Sequence, residues 1–580
     1  MTISVRTIAR VAALFLIVAA CAGNPHPATA SPQGTYDVVI AGGRIVDGTG
    51  NPWYYGDVGI TGDRITAVVP AGTLANAHAG KRIDAKGMVI APGFIDIQGQ
   101  SGEQLTTGDG RLVSKITQGV TTEILGEGDT PAPVNDKILA TFDPSDTAGI
   151  RLAKQFMGDH GFGAWLDAMQ KHGISVNVGS FIGAGTIRAY ANGQAQGAPT
   201  DAQLDTMRRV TRDAMKDGAF GIASALIYPP GNYAGTHELS EIAKAMATYH
   251  GVYISHVRSE GDSLLEAIDE ALAIGRAGGV PVEIYHLKAA GAHAWGKAAE
   301  MVSKIDSARA AGQDVGATMY PYTASGNGLA ACVPPWAAEN GKLLDNLKNP
   351  ETRARIITEA MDTTPHRPVY CQESGPGPIM VVGLLSTPSL AKYEGWRLDK
   401  IAEDMHKSWG EAMADIVLIS GGRAGKLTFS MTDENVAMQL RKPWVVIGTD
   451  AEGFDPDSAK GLTHPRAYGS YPRLLGKYVR EEHVIPLEQA IHKMSGLTAS
   501  QLHIGGRGLI KNDFAADLVL FDPATVADRA TFTDPFQYPV GIDTVIVNGR
   551  VVLDHGRHTG DRPGVIIHGH GDAPRGAARD

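Results

Sequence analysis

The amino-acid sequence predicts an α/β protein, a (β/α)8 TIM-like barrel with a small β-sandwich domain built from both termini and an insertion before the last barrel strand. Three observations lead to this prediction. Short strands with glycine turns occupy both ends of the chain, strands alternate with helix-length segments between them, and one interval in the alternating region is too long for a single crossover. At 580 residues, of which 43% are hydrophobic, the chain can bury a large core and exceeds one ordinary compact domain.

Residues 1–30 have the pattern of an export signal. Arg6 and Arg10 precede an apolar run over residues 11–20, and small residues follow. Cys21 ends a small-small-cysteine sequence typical of a bacterial lipoprotein cleavage site, whereas residues 28–30 offer an ordinary signal-peptidase site. A buried helix or an uncleaved anchor is the alternative, but about ten apolar residues are too few to span a bilayer core of about 30 Å. We therefore expect an exported protein, in the bacterial periplasm or attached to the envelope by lipid, with no other membrane contact.

Two cysteines remain once this leader is removed, Cys332 and Cys371. An oxidising compartment would permit a disulfide between them, but nothing in the sequence indicates that they approach each other. We expect two free, buried thiols with a structural role.

The charge balance argues against nucleic acid as a partner. The formal net charge is −10, and no stretch is dense in lysine and arginine. Phosphate binding needs clustered cations, so a nucleic-acid-binding protein is excluded.

A small β-domain is predicted from residues 31–91 together with residues 506–567. The first part carries short strands of alternating hydrophobicity, such as residues 36–40, between glycine turns. The second part repeats this pattern at residues 516–522 and 542–549. We therefore expect the two ends of the chain to build one domain.

Residues 92–505 show the strand–helix alternation of a parallel barrel. Segments of helical length at residues 263–277, 298–311 and 487–495 separate the strands. Eight barrel strands are predicted to begin near Phe94, Thr121, Ser175, Ala219, Gly251, Val280, Asp314 and Val445.

The interval from 328 to 442 is predicted to be an inserted lid or subdomain. It is too long for one crossover, and it contains a strand of its own at residues 368–370 as well as helical stretches. Because loops above the carboxyl end of a barrel shape its pocket, we expect this segment to cover the mouth. The last residues, 568–580, are rich in glycine and arginine and are expected to be frayed.

Three polar side chains stand where predicted barrel strands end. His256 and His286 close two successive apolar runs, and Asp450 closes a third. The carboxyl ends of parallel barrel strands meet in one mouth, so these distant residues can surround a single cation. The alternative interpretation is two structural histidines and an aspartate that caps a turn or helix.

The segment Ala91-Pro92-Gly93-Phe94-Ile95-Asp96, followed by a spaced polar pair and then by these three residues, resembles the amidohydrolase superfamily of metal-dependent barrels. Further segments are similar to its N-acyl-D-amino-acid deacylase (D-aminoacylase) branch, at residues 221–228, 286–288, 464–466 and 522–532. The resemblance runs from about Tyr36 to Ile567. It implies a zinc-dependent hydrolase of amide bonds.

The chain departs from that branch at two places. Gln98-Gly99-Gln100 stands where the branch carries His-x-His, and Gly128 stands where it carries a cysteine ligand. A Gln amide is a neutral, weak ligand, so a second metal position here should be weakened or lost. We interpret Gln98 and Gln100 as hydrogen-bonding groups that line the pocket, with ligation of a weak second metal as the alternative. Glu127 is a candidate to replace the cysteine as a ligand, although it could instead cap a helix.

These departures suggest one metal per chain, zinc or another divalent ion, held by Glu127, His256 and His286 with a position open for water. Asp450 is then predicted to be the general base that accepts the proton of the attacking water and returns it to the leaving amine. Direct ligation of the metal by Asp450 is the alternative.

The resemblance also implies which residues bind substrate. Lys288 and Arg466 would bind its carboxylate, and an Arg fork beside an ammonium suits a free α-carboxylate better than a neutral ester or ring amide. Salt-bridged cations are the alternative. Tyr320, Tyr322 and Ser325 are further candidates, because a tyrosine hydroxyl there could polarise the scissile carbonyl, with core packing of the rings as the alternative.

The expected function is that of an exported, metal-dependent amidohydrolase that cleaves an N-acyl or peptide-like amide next to a free carboxylate. Its partner would be a small molecule, an N-acylated amino acid or small peptide, whose side chain and configuration the sequence does not specify. Two alternatives stay open: a dipeptidase or cyclic amidase of the same superfamily, and a non-catalytic binding protein on the same scaffold. The sequence does not predict the oligomeric state.

Overall fold

The computed structural model describes residues 34–364, 371, 374–457 and 459–569. The predicted export signal with Cys21, the predicted strand at residues 368–370 and residues 570–580 of the predicted tail therefore lie outside the described residues. Within the described ranges, no helix combines the length and the apolar character needed to cross a membrane.

Twenty-one strands and eighteen α-helices make up the described part of the chain. The strands are β1 (Thr35–Ile45), β2 (Tyr54–Thr61), β3 (Arg64–Pro70), β4 (His78–Asp84), β5 (Val89–Pro92), β6 (Phe94–Asp96), β7 (Val120–Leu125), β8 (Asn177–Ser180), β9 (Ile182–Gly183), β10 (Gly221–Ala225), β11 (Val252–His256), β12 (Val282–Ile284), β13 (Val315–Met319), β14 (Ser325–Gly328), β15 (Ile379–Val382), β16 (Gly425–Thr428), β17 (Val445–Ile447), β18 (Leu518–Phe521), β19 (Ile542–Val547), β20 (Arg550–Asp554) and β21 (Arg557–His558). The helices are α1 (Gly102–Thr106), α2 (Val113–Ile116), α3 (Asp136–Leu139), α4 (Thr147–Ala153), α5 (Gly161–His172), α6 (Ala184–Asn192), α7 (Asp201–Lys216), α8 (Thr236–Met246), α9 (Leu264–Gly278), α10 (Ala298–Ala310), α11 (Leu343–Lys348), α12 (Pro350–Met361), α13 (Leu398–Met405), α14 (Trp409–Ile419), α15 (Asp433–Leu440), α16 (Arg466–Arg473), α17 (Leu487–Met494) and α18 (Gly496–Gln501).

The β-domain is one hydrogen-bonded sheet that joins the two ends of the chain. Its order is β21-β20-β19-β18-β5-β1-β2-β3, and β4 pairs with β1 in addition. The ends meet where β18 runs antiparallel to β5, with Leu518 opposite Pro92 and Phe521 opposite Val89. Side chains alternate along β1, so Val38 and Ile40 point into a core that β18 also lines. Burial of this shared core explains why strands so far apart in sequence form one sheet.

Eight successive strand positions form the barrel: β6, β7, β8 continued by β9, β10, β11, β12, β13 and β17. All of their mutual pairings are parallel. A parallel bridge between Gly99 and Ala451 connects the segments that follow the first and last of these strands. The predicted strand starts lie within two residues of the observed ones, and the predicted fold class is confirmed.

Helix α9 shows how the local sequence sets the position of the strand that follows it. Ile268 and Leu272 lie on its buried face against the barrel, as expected for an amphipathic helix. The helix is capped by Gly279, which adopts a left-handed conformation with φ +68° that glycine accepts without steric cost. β12 begins three residues later, so the C-terminal cap places the strand that leads to His286.

The insertion forms a separate layer with its own hydrophobic core. Strands β14, β15 and β16 pair antiparallel, and residues of α12, α13 and α14 fill the core beside them. The predicted bounds of 328–442 need correction at both ends. The small sheet begins at Ser325, and α15 contributes Val436 and Leu440 to the barrel core rather than to the insertion.

Cys332 and Cys371 form a disulfide within this inserted core, so the expectation of two free thiols was wrong. Both residues are fully buried, and their Cα atoms lie 4.9 Å apart although 39 positions separate them in sequence. Their proximity depends on how the insertion folds, which the spacing of two cysteines does not reveal.

Candidate metal centre

Four candidate side chains lie at the carboxyl ends of barrel strands. Glu127 follows β7, His256 ends β11, His286 follows β12 and Asp450 follows β17. His286 and Asp450 have positive φ angles of +35° and +50°, which are uncommon for residues with a side chain. The chain therefore turns sharply at both strand ends, and backbone strain of this kind clusters at functional sites.

Glu127, His256 and His286 form a compact group of ligand atoms. Glu127 Oε1 lies 2.9 Å from His256 Nδ1 and 3.2 Å from His286 Nε2, and the two ring nitrogens are 2.9 Å apart. One ligand atom of each residue lies within 4.8 Å of the others, and this group does not include Asp450. Two imidazoles and a carboxylate are the donor set of many catalytic zinc sites.

Glu260 supports this group from behind. Its Oε1 atom lies 3.1 Å from His286 Nδ1 and 3.8 Å from His256 Nε2, on the ring atoms that face away from Glu127. Lys288 Nζ lies 2.6 Å from the same oxygen and 2.7 Å from His286 Nδ1. A carboxylate behind a ligating histidine fixes the ring and increases its basicity, so Glu260 completes the arrangement that a metal site requires.

The electrostatics of the group favour a positive charge at its centre. Burial and Lys288 lower the pKa of His286, but Glu260 and Glu127 oppose them and the pKa is raised to about 9. Burial alone would raise the pKa of Glu127, but hydrogen bonds from His256 and His286 hold it well below its usual range. A site that stabilises a cationic imidazole beside an ionised carboxylate also suits a divalent cation, so the residues fit a metal ion.

Gln98 and Gln100 contact the ligand group through Glu127. Gln98 Nε2 and Gln100 Nε2 donate to Glu127 Oε2 at 2.7 and 2.8 Å. Gln100 Nε2 also lies 3.4 Å from Asp450 Oδ1. The amide nitrogens, which have no lone pair to offer a metal, therefore face the ligand group.

Asp450 stands beside this group and is held by Arg466. Arg466 Nη1 lies 2.7 Å from Asp450 Oδ2, as a close ion pair that is not aligned for a hydrogen bond. Burial raises the pKa of Asp450, while the guanidinium lowers it. The carboxylate is thus placed and tuned as a proton acceptor requires.

A cavity of about 490 Å³ opens over the group, between the barrel and the insertion. It contains buried polar atoms that have no hydrogen-bond partner among the described residues: Tyr320 Oη, Ser325 Oγ, Asn327 Oδ1 and Arg466 Nε. Burial raises the pKa of Tyr320 well above its usual range, so its hydroxyl remains a donor. Unsatisfied buried polar atoms are costly, and their concentration in one cavity indicates a polar ligand.

The structure brings most of the predicted substrate-binding residues into this cavity. Lys288, Arg466, Tyr320 and Ser325 line it, although Glu260 engages the ammonium of Lys288. Tyr322 does not line it: its ring packs edge-on against His464 at 5.2 Å, and its hydroxyl donates to the carbonyl of Pro465. For Tyr322 the interpretation as a packed core aromatic describes the observed contacts.

The cavity residues that the sequence reasoning missed include Glu260, Tyr228, Asn327 and Lys426. Asn327 Nδ2 donates to Tyr228 Oη at 2.9 Å, across the boundary between barrel and insertion. Lys426 projects from β16, donates to Thr428 Oγ1 at 2.9 Å, and has its pKa lowered by burial to about 7. Only Glu260 had a usable signal, because it stands four positions after His256 in a polar stretch.

Comparisons with known proteins agree with this geometry. A family model described as "Amidohydrolase family" matches residues 405–553. D-aminoacylase from Alcaligenes xylosoxydans xylosoxydans is 33% identical over 534 residues, which cover 92% of this chain and 97% of that protein.

Two solved structures are similar over 92% of this chain and all of theirs. One is N-acyl-D-glutamate deacylase from Bordetella bronchiseptica in complex with zinc and a phosphonate inhibitor, with 28% identity and a TM-score of 0.74. The other is D-aminoacylase, described as having a binuclear metal centre with one-metal activation and second-metal attenuation, with 31% identity and a TM-score of 0.74. The predicted family is confirmed: the chain belongs to the metal-dependent amidohydrolases, in the branch of D-aminoacylases and N-acyl-D-amino-acid deacylases, and is a hydrolase of amide C–N bonds.

Proposed function

We propose that this chain removes the acyl group from an N-acyl amino acid of D configuration with the help of one divalent metal ion, zinc being the first candidate. The observation that carries the proposal is the group of Glu127, His256 and His286, whose ligand atoms lie within 4.8 Å of one another at the base of the cavity. Zinc bound there would polarise the scissile carbonyl and acidify water. The D configuration is inferred from the names of the similar deacylases.

Asp450 would move the proton in this reaction. Its Oδ2 atom faces Arg466, which leaves Oδ1, on the side of Gln100 and Glu127, to accept a proton from the attacking water. The protonated carboxyl can then deliver this proton to the leaving nitrogen, so one residue serves both halves of the reaction. The ion pair with Arg466 at 2.7 Å holds Asp450 beside the three-ligand group and not within it.

The unsatisfied donors of the cavity would bind the free carboxylate next to the scissile amide. Tyr320 Oη and Ser325 Oγ can each donate a hydrogen bond, and Arg466 supplies the positive charge. Hydrogen bonds to a charged group contribute roughly 1.5–3 kcal/mol. Three such groups in one cavity favour a linear substrate with a carboxylate over a neutral cyclic amide.

The Gln pair supports a single metal per chain. A second cation beside Glu127 would meet the amide nitrogens of Gln98 and Gln100, which donate to that carboxylate. Imidazoles at these positions would offer strong nitrogen ligands instead. We therefore assign this chain a mononuclear centre.

We further propose that the protein is exported. The leader pattern of residues 1–30 supports this, and so does the disulfide between Cys332 and Cys371, because disulfides persist in oxidising compartments. Any membrane attachment would be through lipid at Cys21.

The proposal is tested by measuring the metal content of the purified protein together with hydrolysis of a panel of N-acetyl-D- and N-acetyl-L-amino acids. We expect about one zinc per chain and release of D-amino acids. Two metals per chain would contradict the mononuclear centre and would indicate that Gln98 or Gln100 ligates the second metal. A protein that holds no metal after reconstitution, or that hydrolyses no member of the panel, would favour a binding protein on this scaffold.

The carboxylate site gives a separate prediction. Tyr320→Phe removes one unsatisfied donor, and we expect it to raise KM for an N-acyl amino acid about 10- to 100-fold. KM for the corresponding carboxamide should change far less, because that substrate lacks the charge. Tyr468→Phe is the matched control, since Tyr468 also buries a hydroxyl without a partner among the described residues but does not line the cavity. Equal effects on KM for the acid and for the carboxamide would show that Tyr320 does not bind the substrate carboxylate.

A further inference from the structure

We propose that Thr318 and Gln98 are positioning residues that form a hydrogen-bond relay orienting Glu127 towards the metal. The relay starts at the backbone of His286 and ends at the carboxylate of Glu127, so it connects two of the three ligand residues without touching the cation. The proposal rests on the mononuclear centre proposed above.

The directions of the hydrogen bonds in the relay follow from its two ends, a backbone N–H that can only donate and a carboxylate that can only accept. The backbone N–H of His286 donates to Thr318 Oγ1 at 2.7 Å. A backbone N–H can only donate, so the threonine hydroxyl accepts here and keeps its own hydrogen for another partner. That partner is Gln98 Oε1 at 2.9 Å.

The second half of the relay is fixed by the same reasoning. Because Gln98 Oε1 accepts from Thr318, the nitrogen of the amide must face the other way. Gln98 Nε2 donates to Glu127 Oε2 at 2.7 Å, and an ionised carboxylate is an acceptor only. Reversing the amide of Gln98 would set oxygen against oxygen at Glu127, so the carboxylate fixes the amide orientation. The threonine hydroxyl then donates to Gln98 Oε1 and holds the other end of the amide.

This orientation divides the two oxygens of Glu127 between two tasks. Oε2 accepts from Gln98 and Gln100, and Oε1 is left to face His256 and His286. Hydrogen bonds to an ionised acceptor are stronger than neutral ones. The relay therefore presents a single oxygen of Glu127 to the metal position.

The relay has little freedom to move. Thr318 is fully buried and Gln98 is 1% exposed. The backbone N–H of Gln98 donates to Asp96 Oδ1 at 3.1 Å, and its carbonyl accepts from the backbone N–H of Asp450 at 2.8 Å. The backbone of Gln98 is therefore anchored on both sides. One of these contacts also holds the segment that carries Asp450, the proposed base.

The test is a double-mutant cycle read out as the zinc dissociation constant, measured by competition with a chelator. Thr318→Val removes the hydroxyl, and Gln98→Met removes the amide at similar volume. Loss of an outer partner of a metal ligand weakens affinity about 10- to 100-fold, and we expect this range for each single variant. The double variant should be no weaker than the worse single variant, because both changes break the same relay. Thr318→Ser keeps the hydroxyl and should keep the affinity of the parent.

Other outcomes would overturn the relay. The relay is contradicted if the two fold-changes multiply in the double variant. It is also contradicted if Thr318→Val unfolds at lower temperature but binds zinc like the parent. In either case Thr318 would only accept the hydrogen bond from the His286 amide. Loss of affinity in Thr318→Ser would point to packing rather than to the hydroxyl. If the parent protein binds no zinc, the proposed function itself is contradicted. This outcome differs from failure of the relay, in which the parent binds zinc and the variants bind it equally well.

Discussion

Replacing His256 and His286 together by alanine is expected to release the metal and to lower kcat/KM for amide hydrolysis at least about a thousandfold. The two imidazoles supply two of the three ligand atoms that lie within 4.8 Å. A metal ion contributes several kcal/mol of transition-state stabilisation, and each 1.36 kcal/mol changes a rate about tenfold. Elemental analysis of the purified variant and steady-state kinetics measure the two effects.

A matched control separates loss of ligands from loss of fold. His492 lies on α17, and its Nδ1 atom hydrogen-bonds to the carbonyl of Gly48, outside the cavity. His492→Ala should therefore keep the metal content and turnover of the parent. Retention of one zinc by the His256/His286 double variant would show that other residues hold the metal.

The barrel could be predicted from the sequence because each of its strands carries a local signal. β11 is buried at all five positions and ends at His256, so an apolar run closed by a polar residue marks both the strand and its functional end. β17 gives the same signal before Asp450. Parallel strands bring such ends together by geometry, which is why the sequence predicts one shared mouth for side chains as far apart as His256 and Asp450, both of which line the cavity.

The parts that could not be predicted depend on contacts without a sequence pattern. The Cys332–Cys371 disulfide forms because the insertion folds around its own core. Lys426 reaches the cavity from β16, a four-residue strand whose pairing decides which side chains point inwards. Such pairings have no signature in the spacing of residues.

The identity of Gln98 predicts its chemistry but not its hydrogen-bond partner. Its amide is a weak ligand and predicts a weakened second metal position, and this stays a prediction. The identity of Gln98 did not reveal its partner, because Thr318 stands on β13, 220 positions away in sequence. Strand β17 lies between β13 and the segment after β6, so this hydrogen bond becomes visible only when the barrel is closed.

Asp450→Asn is expected to lower kcat about 10²- to 10⁴-fold while the protein keeps its metal. Asparagine preserves the shape of the side chain but cannot accept a proton from water, and general-base catalysis contributes about this factor. Asp450 is not one of the three ligand residues, so metal content should not change. The variant separates proton transfer from metal binding.

The same substitution also tests the partnership with Arg466. Its Nη1 atom lies 2.7 Å from Asp450 Oδ2, so a neutral asparagine releases its charge for the substrate carboxylate, and KM should stay level or fall while kcat collapses. Asp528→Asn is the matched control, because Asp528 forms an ion pair with Arg473 at 3.0 Å but does not line the cavity. If Asp450→Asn lost its zinc, Asp450 would be a metal ligand; if it turned over within about tenfold of the parent, a different group would have to accept the proton.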